Sequence, residues 1–339
     1  MPKSVLNKVG NLSTSWQQQL AQAITDPLQL LDLLDIPHTA FPNCDLAANG
    51  FPLKVPHCYV DKMQPGDPND PLLKQIMLSS RELEQVAGYC KDPVGDQNAT
   101  AIPGLLHKYH GRVLLIATQS CAVHCRYCFR RHFPYPENQP SRNQWQSALD
   151  YIAERKEVSE VILSGGDPLL LSDQKLAELL DRLESISHIK RLRIHSRLPV
   201  VLPDRITDEL CQRLDNSHLD CCLVIHANHA NELQKAELDS LHKLRSSNIS
   251  LLNQSVLLAG INDNIDSLAD LSEQLFSAGI LPYYLHCLDP VSGAAHFNVN
   301  KAKAIELIKG LQLRLPGYLV PRLVEEIAGE GSKLPIIGL

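Results

Sequence analysis

The sequence of 339 residues has few aromatic side chains, no long apolar run and no excess of basic charge. No apolar stretch approaches the roughly 20 residues that a membrane-spanning helix needs, and the amino-terminal stretch MPKSVLNKVGNLSTSW has no apolar core like that of a secretory signal. The formal charge of −6 disfavours a general nucleic-acid-binding protein, whose affinity would come from a strongly basic surface. We therefore expect a cytoplasmic protein with neither nucleic acid nor membrane as a partner.

Cysteine, in contrast, is plentiful. The chain has ten cysteines in a composition that is 44% hydrophobic and 21% charged, which is typical of globular enzymes and binding proteins. A disulfide framework would require an oxidising compartment, and the sequence carries no secretory signal. Metal or redox chemistry is therefore the first hypothesis for these thiols.

The chain divides into three regions by pattern. Residues 1–104 combine helical apolar spacing with stretches rich in Pro, Gly, Asn and Asp, which predicts a mainly helical amino-terminal region. Residues 105–320 alternate apolar runs with helical stretches, and residues 321–339 form a carboxyl-terminal segment. Strands are predicted at 113–118, 158–164, 191–196, 219–226, 248–255 and 280–286.

Strands that alternate with helices predict parallel βαβ units and an α/β fold. Six such units fit a partial (β/α)6 barrel like that of triosephosphate isomerase, and a doubly wound open sheet is the alternative. In a barrel, catalytic groups are expected just beyond the carboxyl ends of the strands.

The segment TQSCAVHCRYCFRRHF directly follows the first predicted barrel strand and spaces Cys121, Cys125 and Cys128 as CxxxCxxC. Three thiolates on one tight loop can bind three irons of a 4Fe–4S cluster and leave the fourth iron without a protein ligand. A zinc site completed by His124 is one alternative, although structural zinc usually takes four protein ligands, often as two separated pairs. Three unrelated buried cysteines are the other alternative.

This triplet, followed by an aromatic residue, resembles the radical S-adenosylmethionine (SAM) superfamily, whose fold is a partial (β/α)6 barrel. The resemblance implies that SAM binds the open iron and is cleaved after one-electron reduction. The second strand ends in SGGDP, whose glycines would let the backbone approach SAM closely. The positions that the resemblance assigns to SAM are Ser164, Gly165, Gly166, Asp167 and His226.

A narrower resemblance runs over about residues 105 to 335. In order along the chain, CRYCFRR, SGGDPLLLSD, RIHSRLPVVLPDRIT, IHANHANEL, LLNQSVLLAGIND, LDPVSGAAHF and GEGSK are similar to motifs of lysine 2,3-aminomutases. PLQLLDLLDI and PGLLHKYHGR extend the similarity towards the branch that serves modification of bacterial elongation factor P (EF-P). That branch makes (R)-β-lysine, which a separate ligase attaches to the factor.

The resemblance also implies pyridoxal phosphate (PLP). Lys333 in AGEGSK matches the aldehyde-binding lysine of the family. An amine among small residues can react with an aldehyde and then be displaced by a substrate amine. The other positions that match PLP contacts are Tyr109, Arg112, Arg126 and Gln254.

Substrate contacts follow from the same resemblance. Arg130 matches the arginine that pairs with the substrate carboxylate. Asp289 matches the first of two aspartates that face the distant ammonium of lysine, and Glu326 stands where free-lysine aminomutases have the second. Two acids favour a basic substrate.

We therefore expect isomerisation of L-lysine to (R)-β-lysine with a 4Fe–4S cluster, SAM and PLP. The implied partners are L-lysine, an electron donor such as flavodoxin or ferredoxin, and a functional link to EF-P and its lysine ligase. A free-lysine aminomutase of secondary metabolism or osmolyte synthesis is the alternative enzyme. A structural protein that binds metal through thiolates is the alternative without catalysis.

Overall fold

The computed structural model describes residues 15–48, 50–134, 142–245 and 249–337. One mixed β-sheet forms its centre, and neighbouring strands follow the order of the sequence. The strands are Thr100–Ile102 (β1), Leu105–Tyr109 (β2), Arg112–Thr118 (β3), Glu160–Gly165 (β4), Arg191–Ser196 (β5), Asp220–Ile225 (β6), Ile249–Val256 (β7), Leu281–His286 (β8), Arg322–Glu325 (β9) and Leu334–Pro335 (β10).

Strands β3 to β9 are parallel to their neighbours, whereas β1, β2 and β10 add antiparallel edges. Residues in register share one face, so a buried row crosses the sheet through Val113, Val161, Leu192, Cys221 and Ile249. The strand order does not reverse, whereas a doubly wound sheet reverses at its switch point. The α/β fold of the partial-barrel type is therefore confirmed, and the doubly wound alternative is wrong.

Helices cover the outer face of the sheet. The helix Asp173–Glu184, for example, starts at the cap Ser172 and buries leucines 176, 179, 180 and 183 at helical spacing. Among the described residues, no helix is both long and apolar enough to cross a bilayer. The helices are Trp16–Ala21 (α1), Pro27–Leu33 (α2), Cys44–Ala48 (α3), His57–Val60 (α4), Pro71–Ile76 (α5), Arg142–Ala153 (α6), Asp173–Glu184 (α7), Leu198–Val201 (α8), Asp208–Asp215 (α9), Lys235–Arg245 (α10), Ile265–Ser277 (α11) and Lys301–Arg314 (α12).

The carboxyl-terminal segment belongs to the sheet. Strand β9 lies parallel to β8, and β10 returns antiparallel to β9. The sheet therefore runs from Thr100 to Pro335, so the boundaries expected at 104 and 320 both fall within it. The seventh parallel strand places Glu326 directly beyond a strand end.

The amino-terminal region packs on the barrel and shares its core. A single cluster of buried apolar side chains extends from Trp16 and Leu31 to Leu223 and Ile280. The helices of this region, α1 to α5, are short and separated by irregular chain, and prolines stand at the start of α2 and α5. In the described part of this region, short helices therefore alternate with irregular chain.

Candidate active site

Side chains that follow the carboxyl ends of the parallel strands surround one cavity. The cysteine loop follows β3, the SGGD segment ends β4, and the carboxyl-terminal segment that carries Lys333 closes the opposite side. This position at the carboxyl edge is where a parallel barrel places its chemistry. The sequence-predicted residues that line the cavity are Tyr109, Arg112, Cys121, Cys125, Cys128, Arg130, Ser164, Gly165, Gly166, Asp167, His226, Gln254, Asp289, Glu326 and Lys333.

The cysteine loop is fixed by the amino-terminal region. The backbone amide of His124 donates to the carbonyl of Lys54 at 3.0 Å, and that of Arg126 donates to the carbonyl of Gln75 at 2.9 Å. Burial raises the pKa of Cys128 to about 11, so an uncharged thiol is favoured until a cation binds. Among the described residues, no three His, Cys, Asp or Glu side chains converge on a site for a single metal ion. The three thiols fit a cluster, in which each one binds a different iron.

The glycines of SGGD allow close packing between β4 and the cysteine loop. A Cβ atom on Gly166 would lie 2.2 Å from the carbonyl oxygen of Ser120, and Gly165 has a φ of +110° beside Ile116. The backbone amide of Asp167 donates to the same Ser120 carbonyl at 2.8 Å. The sequence interpretation assigned these glycines to SAM, and the structure adds a reason within the protein for their small size.

Asp167 is buried and satisfied by the protein. Its carboxylate accepts hydrogen bonds from the hydroxyl of Ser196 at 2.7 Å and from the amides of Arg197 at 2.8 Å and Leu198 at 3.1 Å. Burial raises the pKa of Asp167 despite these donors. The residue therefore fixes the end of β5 beside the cysteine loop.

A chain of alternating charges occupies the other side of the cavity. Lys333 Nζ lies 2.5 Å from Glu326 Oε2, and Lys108 Nζ lies 3.0 Å from Glu326 Oε1. Asp96 then bridges Lys108 at 2.6 Å and Arg130 at 2.7 Å. Burial alone would raise the pKa of Glu326, but the ammoniums of Lys333 and Lys108 lower it to about 2. Glu326 is therefore a carboxylate bound by lysines of its own chain.

Asp289 differs from Glu326 in having no ion pair among the described residues. Burial and the nearby carboxylate of Glu326 raise the pKa of Asp289 to about 7, although Lys333 and Lys108 oppose this shift. Its carboxyl group faces the cavity without a resident cation. A cationic ligand would therefore find an uncommitted acid at this position.

Buried polar atoms without partners also line the cavity. The Nε2 atoms of His195, His226, His286 and Gln254 have no hydrogen-bond partner in the described part of the chain. Burial lowers the pKa of all three histidines, which keeps their rings neutral. Buried polar atoms normally have partners, so these four fit a polar ligand in the cavity. His195 and His286 were not predicted, although each lies at a strand end.

The arginines at the cavity differ from the sequence interpretation at one position. Arg112 lies with its guanidinium carbon 4.6 Å from the ring centroid of Tyr109, and both line the cavity. Arg126 does not line it, because its buried guanidinium binds Glu82 at 2.5 Å and the carbonyl of Phe51 at 2.7 Å. Arg126 therefore lies outside the cavity in which its contact with PLP was expected.

Lys108 is a further basic residue that lines the cavity, and the sequence interpretation did not select it. Strand β2 directs Lys108 to the cavity, where it contacts Glu326 and Asp96. Its place in HKYHGR, one residue before Tyr109, was the signal that could have identified it.

Comparison with known proteins agrees with this geometry. The sequence model described as Radical SAM superfamily matches residues 115–272. The L-lysine 2,3-aminomutases of Haemophilus influenzae and Escherichia coli are each 50% identical, over 94% and 95% of this chain and 94% of their own lengths. That of Clostridium subterminale is 38% identical over 82% of this chain and 67% of its own. The chain belongs to the lysine 2,3-aminomutase family of radical SAM enzymes.

Proposed function

We propose that the protein converts L-lysine to (R)-β-lysine with a 4Fe–4S cluster, SAM and PLP, and that the product is used to modify EF-P. The observation that carries the proposal is one cavity with the cysteine loop on one side and Lys333, Glu326 and Asp289 on the other. The radical SAM family implies the cluster and SAM. The amine of Lys333 at the cavity supports the use of PLP, and the carboxyl group of Asp289 at the same cavity supports a basic substrate.

Each cofactor has a matching set of side chains. Cys121, Cys125 and Cys128 would hold the cluster, and the Ser164–Asp167 segment with His226 would lie against SAM. Lys333 would bind the aldehyde of PLP, with Arg112, Tyr109 and Gln254 around it. When bound, the cluster and SAM supply a radical that abstracts hydrogen, and PLP supplies the electrophile through which nitrogen migrates.

The chain's own residues orient the substrate and exclude water. Arg130 would pair with the carboxylate of the substrate lysine. The guanidinium of Arg130 is held by hydrogen bonds to Asp96 Oδ2 at 2.7 Å and to Ser164 Oγ at 3.0 Å. Asp289, the unpaired acid, would accept the distant ammonium. The reaction exchanges an α-amino group for a β-hydrogen within one molecule, so it needs no net oxidant or reductant.

The cluster and Lys333 are tested separately. Anaerobic protein should contain close to four irons and four sulfides per chain, and Cys125→Ala should remove both the cluster and SAM cleavage. Borohydride reduction with added PLP should attach the pyridoxyl group to Lys333, and Lys333→Ala should abolish that adduct. Stoichiometric zinc without sulfide, or a trapped adduct on another lysine, would contradict the corresponding assignment.

The link to EF-P is supported by the resemblance through PLQLLDLLDI and PGLLHKYHGR, which extends beyond the barrel. Deletion of the gene should leave EF-P without the β-lysyl mass increment, and the wild-type gene should restore it. Modified EF-P in the deletion strain would contradict this role and favour free β-lysine as an end product.

A further inference from the structure

Arg197, at the end of β5, joins the cysteine loop to a buried polar network. Its Nη1 atom donates to Cys125 Sγ at 2.6 Å. Its Nη2 atom is shared among Gln75 Oε1 at 2.7 Å, Glu232 Oε2 at 2.9 Å and the hydroxyl of Tyr59 at 3.1 Å. The function proposed above gives this arginine no role.

The network holds Arg197 in place from both ends. Its backbone amide donates to Asp167 Oδ2 at 2.8 Å, and its side chain retains only 7% exposure. Glu232 is fully buried, and its Oε1 atom accepts from the amides of Asn228 at 2.8 Å and His229 at 3.1 Å. A guanidinium with these fixed partners is directed at the sulfur before any ligand binds.

Two of the partners come from the amino-terminal region. Tyr59 lies in α4 and Gln75 in α5, outside the barrel sheet. The carbonyl of Gln75 also accepts from the amide of Arg126 in the cysteine loop, so one residue holds both Arg197 and the loop. The amino-terminal region is thereby connected to the cysteine loop by hydrogen bonds as well as by apolar packing.

We propose that Arg197 is a positioning residue that orients Cys125 and stabilises the reduced state of the cluster, and that Tyr59 and Gln75 hold it for this purpose. The inference rests on the cluster of the proposed function. Reduction adds one negative charge to the cluster, and hydrogen bonds to its sulfurs together with local charge set its potential. A cationic donor on a ligating sulfur stabilises that added charge, whereas the Glu232 carboxylate behind it acts in the opposite direction.

The test is a redox titration of the anaerobic full-length protein, followed by the electron paramagnetic resonance signal of the reduced cluster. Arg197→Gln should retain iron and sulfide but show a more negative midpoint potential. We expect at least a tenfold lower ratio of reduced to oxidised cluster at a fixed potential, which equals about 59 mV for one electron. Arg197→Lys, which keeps the charge, should lie between this variant and the wild type.

Two further variants keep the test decisive. Glu232→Gln removes the opposing carboxylate and should shift the potential in the positive direction. Arg205→Lys changes another fully buried arginine and should leave the potential unchanged. Arg205 donates to the carbonyl of Leu169 and forms an ion pair with the carboxylate of Asp173, with no hydrogen bond to a sulfur among the described residues.

An unchanged potential in iron-loaded Arg197→Gln would overturn the proposal. If both Arg197 variants lose iron, a negative or absent shift in Glu232→Gln would overturn it. Absence of a cluster from the wild type would instead contradict the proposed function, so the two failures are distinguishable.

Discussion

At the scale of single residues, Asp289 is a carboxyl group of the cavity that has no ion pair among the described residues. The ordinary pKa of aspartate is near 3.8, whereas burial and the carboxylate of Glu326 raise it here to about 7. Burial destabilises the ionised form of an unpaired carboxyl group, whereas an ammonium in the site would stabilise that form. This residue is therefore the sharpest point at which to test substrate choice.

We expect Asp289→Asn to lower kcat/KM for lysine at least tenfold, since loss of about 1.4 kcal/mol in the transition state has that effect. Content of iron and PLP should stay unchanged, because Asp289 makes no ion pair or side-chain hydrogen bond with Lys333 or the three cysteines among the described residues. Norleucine, which lacks the ammonium, should be a poor substrate of the wild type and lose little more in the variant. Equal turnover of lysine and norleucine by the wild type would contradict the lysine assignment.

The same residue gives a dependence on pH. The raised pKa means that the neutral acid persists up to about pH 7, and only the ionised form pairs with an ammonium. Lysine kcat/KM should therefore fall as pH decreases through 7, by about tenfold per unit where this group alone titrates. The nearby carboxylates of Glu326 and Asp96 stay ionised through this range, because neighbouring cations lower the pKa of both. Asp289→Asn should lack this acidic limb, and its persistence in the variant would assign the limb to another group.

Glu326 should behave differently from Asp289, because its carboxylate already forms ion pairs with Lys333 and Lys108. We expect Glu326→Gln to lower lysine turnover and also to change the yield of borohydride trapping at Lys333. Glu325→Gln is the matched control. Glu325 is the next residue along the chain, but its carboxylate pairs with Lys301 and lies outside the cavity. Trapping that is equal in wild type and Glu326→Gln would show that the contact with Lys333 has no effect on PLP attachment.

At the scale of elements, the fit between the β4 end and the cysteine loop depends on Gly166. A methyl group there would overlap the Ser120 carbonyl at 2.2 Å, which belongs to backbone and cannot rotate away. We expect Gly166→Ala to destabilise the fold by about 1–3 kcal/mol and to reduce iron loading. Gly317→Ala, where a methyl group meets no atom within 4 Å, is the control for denaturation and iron analysis. Full iron loading and unchanged stability in Gly166→Ala would contradict this account.

Elements also show how far sequence alone reaches. Strands β3 to β8 were predicted within one or two residues, because each is an apolar run bounded by a helix pattern. Strand β9 was missed, since RLVE is short and two of its four residues are charged. Its pairing with β8 is a tertiary contact that no local pattern specifies.

Site residues that belong to short sequence motifs were easier to predict than those whose side-chain direction depends on the fold. The cysteines and Lys333 are fixed by short motifs, and all four line the cavity. Arg126 lies between two of those cysteines, yet the loop turns its side chain to Glu82 on the far side. Adjacency in sequence does not define which way a loop side chain points. The structure was therefore needed to show that Lys108 lines the cavity and that Arg126 does not.

At the scale of the whole molecule, the amino-terminal region and the barrel form one body with a shared core. A buried ion pair crosses their boundary, where Lys62 Nζ binds Glu237 Oε1 at 2.9 Å with 4% and 3% of the side chains exposed. Lys62 also donates to the carbonyls of Val200 at 2.7 Å and Glu232 at 3.1 Å. Loss of this cation should therefore affect the unfolding of the entire chain.

We expect Lys62→Met to lower the free energy of unfolding by about 3–5 kcal/mol, because it leaves Glu237 as an uncompensated buried charge. Unfolding in denaturant, followed by circular dichroism, should remain a single transition at a lower midpoint, since both regions share one core. The control is Lys235→Met on the same helix α10 as Glu237, where the pair with Asp239 is largely exposed and adds little. Adding Glu237→Leu to Lys62→Met should restore part of the loss, because the stranded charge is then removed. Two separate transitions in the wild type would show that the amino-terminal region folds independently of the barrel. Equal effects of Lys62→Met and Lys235→Met would contradict the stabilising role of the buried ion pair.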